Sequence, residues 1–157
     1  MLIAFDGSDA SRRAILEAAR LLGSRPALVV TVWEAGLAYA APAMPPDGMI
    51  MNPVVEPGVA REVDREVHSH AERVARAGTE LARSLGLDAQ PLAVPDEGDV
   101  HHTILNLARE REAAAIVVGS RGLSGLRARL EGSTSKGLLK NATCPVVVVH
   151  EPHEDEH

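Results

Sequence analysis

Cysteine occurs once in the 157 residues, at Cys144. That excludes an internal disulfide and fits a reducing compartment. The simplest role for Cys144 is that of a small buried hydrophobe beside the last strand. Aromatic side chains are almost as scarce, with one Phe, one Tyr and one Trp. The core must therefore be aliphatic, built from Val, Leu, Ile and Ala. No apolar run approaches the roughly 20 residues that cross a bilayer. Met1-Leu2-Ile3-Ala4-Phe5 runs straight into Asp6 with no basic stretch, as a strand does and a signal peptide does not. The expectation is a cytoplasmic protein with no membrane segment. Positive charge is also short: 16 Lys and Arg against 22 Asp and Glu leave a net charge of −6. Such a balance argues against general nucleic-acid binding. Repeats, low-complexity blocks and a second domain are missing too.

What is present is a globular composition, 45% hydrophobic, in a chain long enough for one proper core. Short apolar runs at Leu2 to Phe5, Ala27 to Trp33, Ala89 to Val94, Ala113 to Val118 and Val146 to Val149 read as strands. Their near-continuous hydrophobicity suits strands buried on both faces of a parallel sheet. Between them lie helical periodicities. Ala14, Ile15, Ala18, Ala19 and Leu22 mark the first helix, with Ser8 or Asp9 as its N-cap and Gly23 as its end. The second runs from Val59 to Leu85, with Val63, Val67, Ala71, Val74, Gly78, Leu81 and Leu85 inward. Gly86 follows as its cap. The third spans Val100 to Glu110, with Ile104, Leu105 and Ala108 inward, and the fourth Ser133 to Asn141. Alternating strands and helices predict an α/β domain, a parallel sheet with right-handed crossovers and helices on both faces. Ligands of such sheets bind at the carboxyl ends of strands, where the strand order reverses.

Two segments break the pattern. Residues 34–58 hold Pro42, Pro45, Pro46, Pro53 and Pro57 with Gly36, Gly48 and Gly58, a long irregular loop. It reads either as a flap over a ligand or as a plain insertion. Residues 151–157 form an acidic tail, expected to be mobile beyond a domain of residues 1–150.

The chemistry concentrates between Gly119 and Asn141. A glycine-rich stretch leaves the fourth strand and a hydroxyl cluster opens the fourth helix. Glycines let backbone N–H groups approach an anion, and a helix N-terminus adds unpaired N–H groups with partial positive charge. Between Arg121 and Lys140 stand three arginines and two lysines against one glutamate, a basic island in an acidic chain. It suits a small anionic ligand better than a polymer. The Gly-x-Gly-x-x-Gly fingerprint fails, because the glycines fall at 119, 122 and 125. The Walker pattern fails because Leu138 follows Gly137 where Lys is required. What does fit is Gly-x2-Gly-x9-Gly-[Ser/Thr], carried by Gly119, Gly122, Gly132 and Ser133. Structurally, the same residues could serve as a tight turn and a helix start.

That pattern resembles the ATP-binding signature of the universal stress protein family, and Phe5-Asp6-Gly7-Ser8 is similar to the family's Val-Asp-Gly-Ser. The resemblance runs from Leu2 to about His150. It implies a Rossmann-like single domain with a five-stranded sheet in the order 3-2-1-4-5. It implies ATP as ligand, with Mg2+ carried by the nucleotide. By the same resemblance, Asp6 would accept hydrogen bonds from ribose hydroxyls or hold water on the metal. Read from the residues alone, Asp6 could equally be an N-cap or close an Asx turn. Val32 would offer its backbone to the adenine edge. Gly119 and Gly122 would border ribose and phosphates, and Gly132, Ser133 and Thr134 would bind phosphate. A homodimer through Val146 to Val149 is expected, because an apolar edge strand invites pairing. No catalytic residue stands out beyond Asp6. A slow ATP-hydrolysing enzyme and a nucleotide-free interaction module stand as alternatives. The seven histidines, among them the pairs His68/His70 and His101/His102, read as surface residues, with no spacing for a protein-held metal.

Overall fold

The computed structural model describes residues 1–36, 56–120 and 133–150. Five strands form one parallel sheet: β1 (Leu2–Ala4), β2 (Pro26–Trp33), β3 (Asp88–Pro95), β4 (Ile116–Gly119) and β5 (Val146–Val149). Their order is β3-β2-β1-β4-β5. Four helices are described: α1 (Asp9–Leu22), α2 (Pro57–Ser84), α3 (Val100–Glu110) and α4 (Ser133–Asn141). The expected α/β architecture, strand order and parallel pairing are all found.

Two aliphatic layers flank the sheet. On one face Ile3, Phe5, Val29 and Val117 pack with Ala14, Ile15 and Ala18 of α1 and Ala82 of α2. On the other, Leu2, Ala4, Val30, Ile116 and Val118 pack with Ile104, Leu105 and Ala108 of α3 and Leu138 of α4. Alternate residues of each strand thus serve opposite layers, which is why the strands read as unbroken apolar runs.

Helix ends follow local chemistry. Ser8 caps α1, its hydroxyl accepting the Ser11 N–H at 3.2 Å. Gly23, at φ 67°, ends that helix. Pro57 occupies the first turn of α2, where no intrahelical N–H is needed. The inner face of α2 agrees with the sequence expectation at Ala71, Val74, Gly78 and Leu81 and departs from it elsewhere. Ala60, Ala71, Ala75, Gly78, Thr79 and Ala82 are buried, whereas Leu85 is 39% exposed. Small residues line this face because the helix lies close to the sheet. A Cβ on Gly78 would stand 2.6 Å from the Phe5 ring.

The two outer strands present different edges. In β3, Asp96 N–H bonds to the Trp33 carbonyl, so even-numbered residues face β2 and odd-numbered ones face outward. The outward carbonyl of Ala89 is taken by Arg83 Nε at 2.9 Å, and Pro91 and Pro95 bring no N–H. In β5, the carbonyls of Pro145 and Val149 accept from β4 and its extension. Val146 and Val148 therefore turn their backbone groups away from β4.

Candidate functional site

The strand order reverses between β1 and β4: the chain runs outward from β1 to β3, then returns to lay β4 against the other side of β1. In open sheets of this kind ligands bind outside the carboxyl ends of the strands at that point. Three chain exits converge there.

The first is the turn after β1. Asp6 is half-buried, and its Oδ1 accepts the Ser8 N–H at 2.9 Å. The local reading of Asp6 as an Asx turn is thus realised. Its second carboxylate oxygen has no partner among the described residues. Gly7, at φ 84°, takes the left-handed conformation that lets the chain swing into α1. The preceding carbonyl, of Phe5, is held by the buried Thr31 hydroxyl at 2.8 Å. Asp6 is therefore fixed from both sides.

The second exit is that of β4. Gly119 is buried, and a Cβ there would lie 2.6 Å from the Ala10 carbonyl oxygen. The missing side chain brings the end of β4 against the first turn of α1, beside the turn that carries Asp6. Gly119 thus has a packing role in addition to the ligand-bordering role expected of it. Ser120 N–H bonds to the Val149 carbonyl at 2.8 Å, tying this exit to β5.

The third is the end of β2. Leu28 N–H bonds to the Met1 carbonyl and the Val30 carbonyl accepts the Phe5 N–H. Even-numbered residues of β2 therefore face β1 with their backbone groups. Val32 is the next of that series and directs its own toward the place where the chain leaves β1. These are the backbone groups that the adenine-edge role expected of Val32 would use. Trp33 follows, its ring centroid 5.2 Å from that of His68 and its Nε1 buried without a partner among the described residues.

Ser133 and Thr134 open α4, so the hydroxyl cluster does begin a helix. Thr134 is half-buried, Lys136 is exposed and Leu138 anchors the helix in the core. Gly122, Gly132 and Arg121 lie outside the described residues, as does most of the 34–58 loop read as a flap. The structure thus sets Asp6, Val32 and Gly119 at or just past the carboxyl ends of three neighbouring strands.

Sequence reasoning missed one cluster. Asp99, His101 and His102 each offer a ligand-capable atom within 4.8 Å of the others. Adjacent helical residues were expected to point apart, but this holds inside a helix. Here Asp99 is the N-cap of α3, and its side chain folds back over the first turn. An Asp two residues before a His pair, just ahead of an apolar run, was the available signal.

Comparison with known proteins fits this geometry. The family model described as the universal stress protein family matches residues 1–150. Universal stress protein YxiE of Bacillus subtilis is 32% identical over 149 residues, covering 95% of this chain and 97% of that protein. UspA of Lactobacillus plantarum superposes with a TM-score of 0.67 at 22% identity, covering 94% of each chain. A universal stress protein in complex with cAMP superposes at 0.60 and 23% identity, over 95% of this chain and 94% of that one. A family protein of Arabidopsis thaliana with AMP bound gives 0.58 at 15% identity, over 99% and 94%. At these identities the structural likeness speaks for the fold. Among the described residues, no helix is long and apolar enough to cross a membrane.

Proposed function

Because this chain belongs to the universal stress protein family, we propose that it is a cytoplasmic regulatory protein that binds Mg-ATP at the crevice between β1 and β4. One observation carries the reading: the Asp6 carboxylate, held at the switch point by Ser8 N–H, keeps a second oxygen without a partner among the described residues. Adenine nucleotides bound to fold relatives support the ligand class.

In this reading the Asp6 oxygen accepts from the ribose hydroxyls. The backbone of Val32 meets the adenine edge. Gly119 and Gly122 leave room for ribose and phosphate, and Gly132, Ser133 and Thr134 offer N–H and hydroxyl groups to the phosphates at the start of α4. Mg2+ keeps several waters and takes phosphate oxygens. The donor set fits such an ion in the alternative in which the second Asp6 oxygen holds one of its waters instead of meeting the ribose. When bound, the ion neutralises phosphate charge. Binding would alter contacts with partners rather than drive fast turnover. A turnover above about 1 s⁻¹, within the ordinary enzyme range, would replace the regulatory reading with an enzymatic one.

The test is made on protein purified without added nucleotide. It is denatured, the supernatant is run on ion exchange, and a thermal melt is recorded with Mg-ATP, AMP and GTP. Co-purified ATP, or a melt shift with ATP, is the expected outcome. Ligand at about 100 times its dissociation constant adds roughly 2.7 kcal/mol. No nucleotide and no shift with any of the three would overturn the proposal.

A further inference from the structure

Three side chains that the nucleotide reading leaves unused meet at the start of α3. Asp99 Oδ1 accepts the backbone N–H of His101 at 3.0 Å, and His101 Nδ1 stands 2.5 Å from the same oxygen. The His102 ring stacks on that of His101, centroids 4.4 Å apart and planes inclined by 30°. One ligand-capable atom from each lies within 4.8 Å of the other two. His101 is pinned from behind. Its ring fills the space above Gly137 of α4, where a Cβ would stand 2.6 Å from the ring carbons. Its side chain is 18% exposed, so its orientation is preset before any ion arrives.

We propose that Asp99, His101 and His102 form a surface site for one divalent transition ion of the Zn2+, Ni2+ or Cu2+ class, on a donor set distinct from that of any nucleotide-borne Mg2+. Imidazole nitrogen with carboxylate oxygen suits these ions, whereas Mg2+ and Ca2+ take oxygen ligands. With metal–donor bonds of about 2.0–2.2 Å, donors sharing a tetrahedral ion stand roughly 3.4 Å apart. The present separations, from 2.5 Å to at most 4.8 Å, bracket that spacing. Asp99 and His102 are both exposed, so their side chains can turn onto an ion while His101 stays fixed. Water completes the shell. Asp96 and Glu97 add negative potential just ahead of the site. One oxygen of each accepts from Thr103 Oγ1 or Asn106 Nδ2, and neither belongs to the three-residue cluster, so their part is their charge.

The tail histidines are competitors, so the measurement uses the full-length His150→Gln/His153→Gln/His157→Gln variant. Isothermal titration with Ni2+ and Zn2+, without nucleotide, is expected to give one ion per chain. Zn2+-induced shifts of imidazole resonances should fall on His101 and His102. Asp99→Asn keeps the helix cap, because Asn caps as well as Asp. It should still weaken binding on the order of 10–100-fold, as loss of a carboxylate partner does at metal sites. His102→Gln should weaken it at least as much. Loss of binding in the tail variant itself, shifts confined to His68 or His70, or unchanged affinity in Asp99→Asn and His102→Gln would each overturn the site.

Discussion

The Phe5 ring stands where a side chain on Gly78 would have to be: a Cβ there would lie 2.6 Å from Cδ1, 2.8 Å from Cγ and 2.9 Å from Cε1. The chain's single Phe precedes Asp6, so a helix glycine sets the position of the residue before the site. Gly78→Ala gains about 1 kcal/mol of helix propensity, but overpacking a filled core costs about 1–3 kcal/mol. The expected result is a net loss, lowering the melting temperature by a few degrees. Phe5→Leu in the same chain should recover part of that loss, read as non-additivity in a double-mutant cycle.

Gly119→Ala meets backbone instead of a ring. Its Cβ would press on the Ala10 carbonyl, which cannot rotate away. The strand or the first turn of α1 must shift, at a cost of roughly 2–3 kcal/mol. The melt of nucleotide-free protein should fall by about 4–12 °C. An unchanged melt would mean that Gly119 serves the ligand alone.

Asp6→Asn separates turn from ligand. The Asn side-chain oxygen can still accept the Ser8 N–H, so the melt without nucleotide should stay within about 0.5 kcal/mol of the parent. The other atom becomes a donor and cannot accept from ribose. A hydrogen bond to a charged group contributes about 1.5–3 kcal/mol, so ATP affinity should fall roughly 10- to 100-fold. Equal affinity in titration calorimetry would remove Asp6 from the nucleotide site.

Val148→Pro tests the open edge. Val148 turns its N–H away from β4, so proline there leaves the β4–β5 ladder intact and removes an outward donor. Light scattering at tens of micromolar is expected to show a dimer for the parent and a folded monomer for the variant. A parent that is monomeric at that concentration contradicts pairing through β5.

Much of the fold was legible because periodicity reports burial directly. Val146 to Val149 and Val100 to Glu110 were read with the bounds the structure shows. The inner face of α2 was read in part: Ala71 and Gly78 are buried as expected, with Val74 and Leu81 packed on the same layer, but the small residues between them were passed over because bulky ones were counted as core. Where a helix lies close to a sheet, packing selects small ones, hence Ala75, Thr79 and Ala82. Thr79 is tolerated there because its hydroxyl bonds to the Ala75 carbonyl at 2.8 Å. In the candidate site, Asp6 and Val32 could be placed because the ends of strands are readable. The contact between Gly119 and Ala10 could not, since it depends on how α1 crosses β4. Asp99, His101 and His102 were passed over because face-sharing rules for a helix interior do not describe a capping side chain.

The unlike edges of the sheet have a consequence for how copies can add together. Pro91, Pro95 and the Arg83–Ala89 bond leave the β3 side with little to offer another strand. Association through strand edges has one sticky side per molecule. Two such sides meet face to face and satisfy each other, giving a closed two-fold pair. A head-to-tail chain of molecules would need β3 to receive β5, and at Pro91 and Pro95 β3 has no donor to give. If copies pair through β5, the proline-interrupted β3 edge works against extending that pair into a fibre.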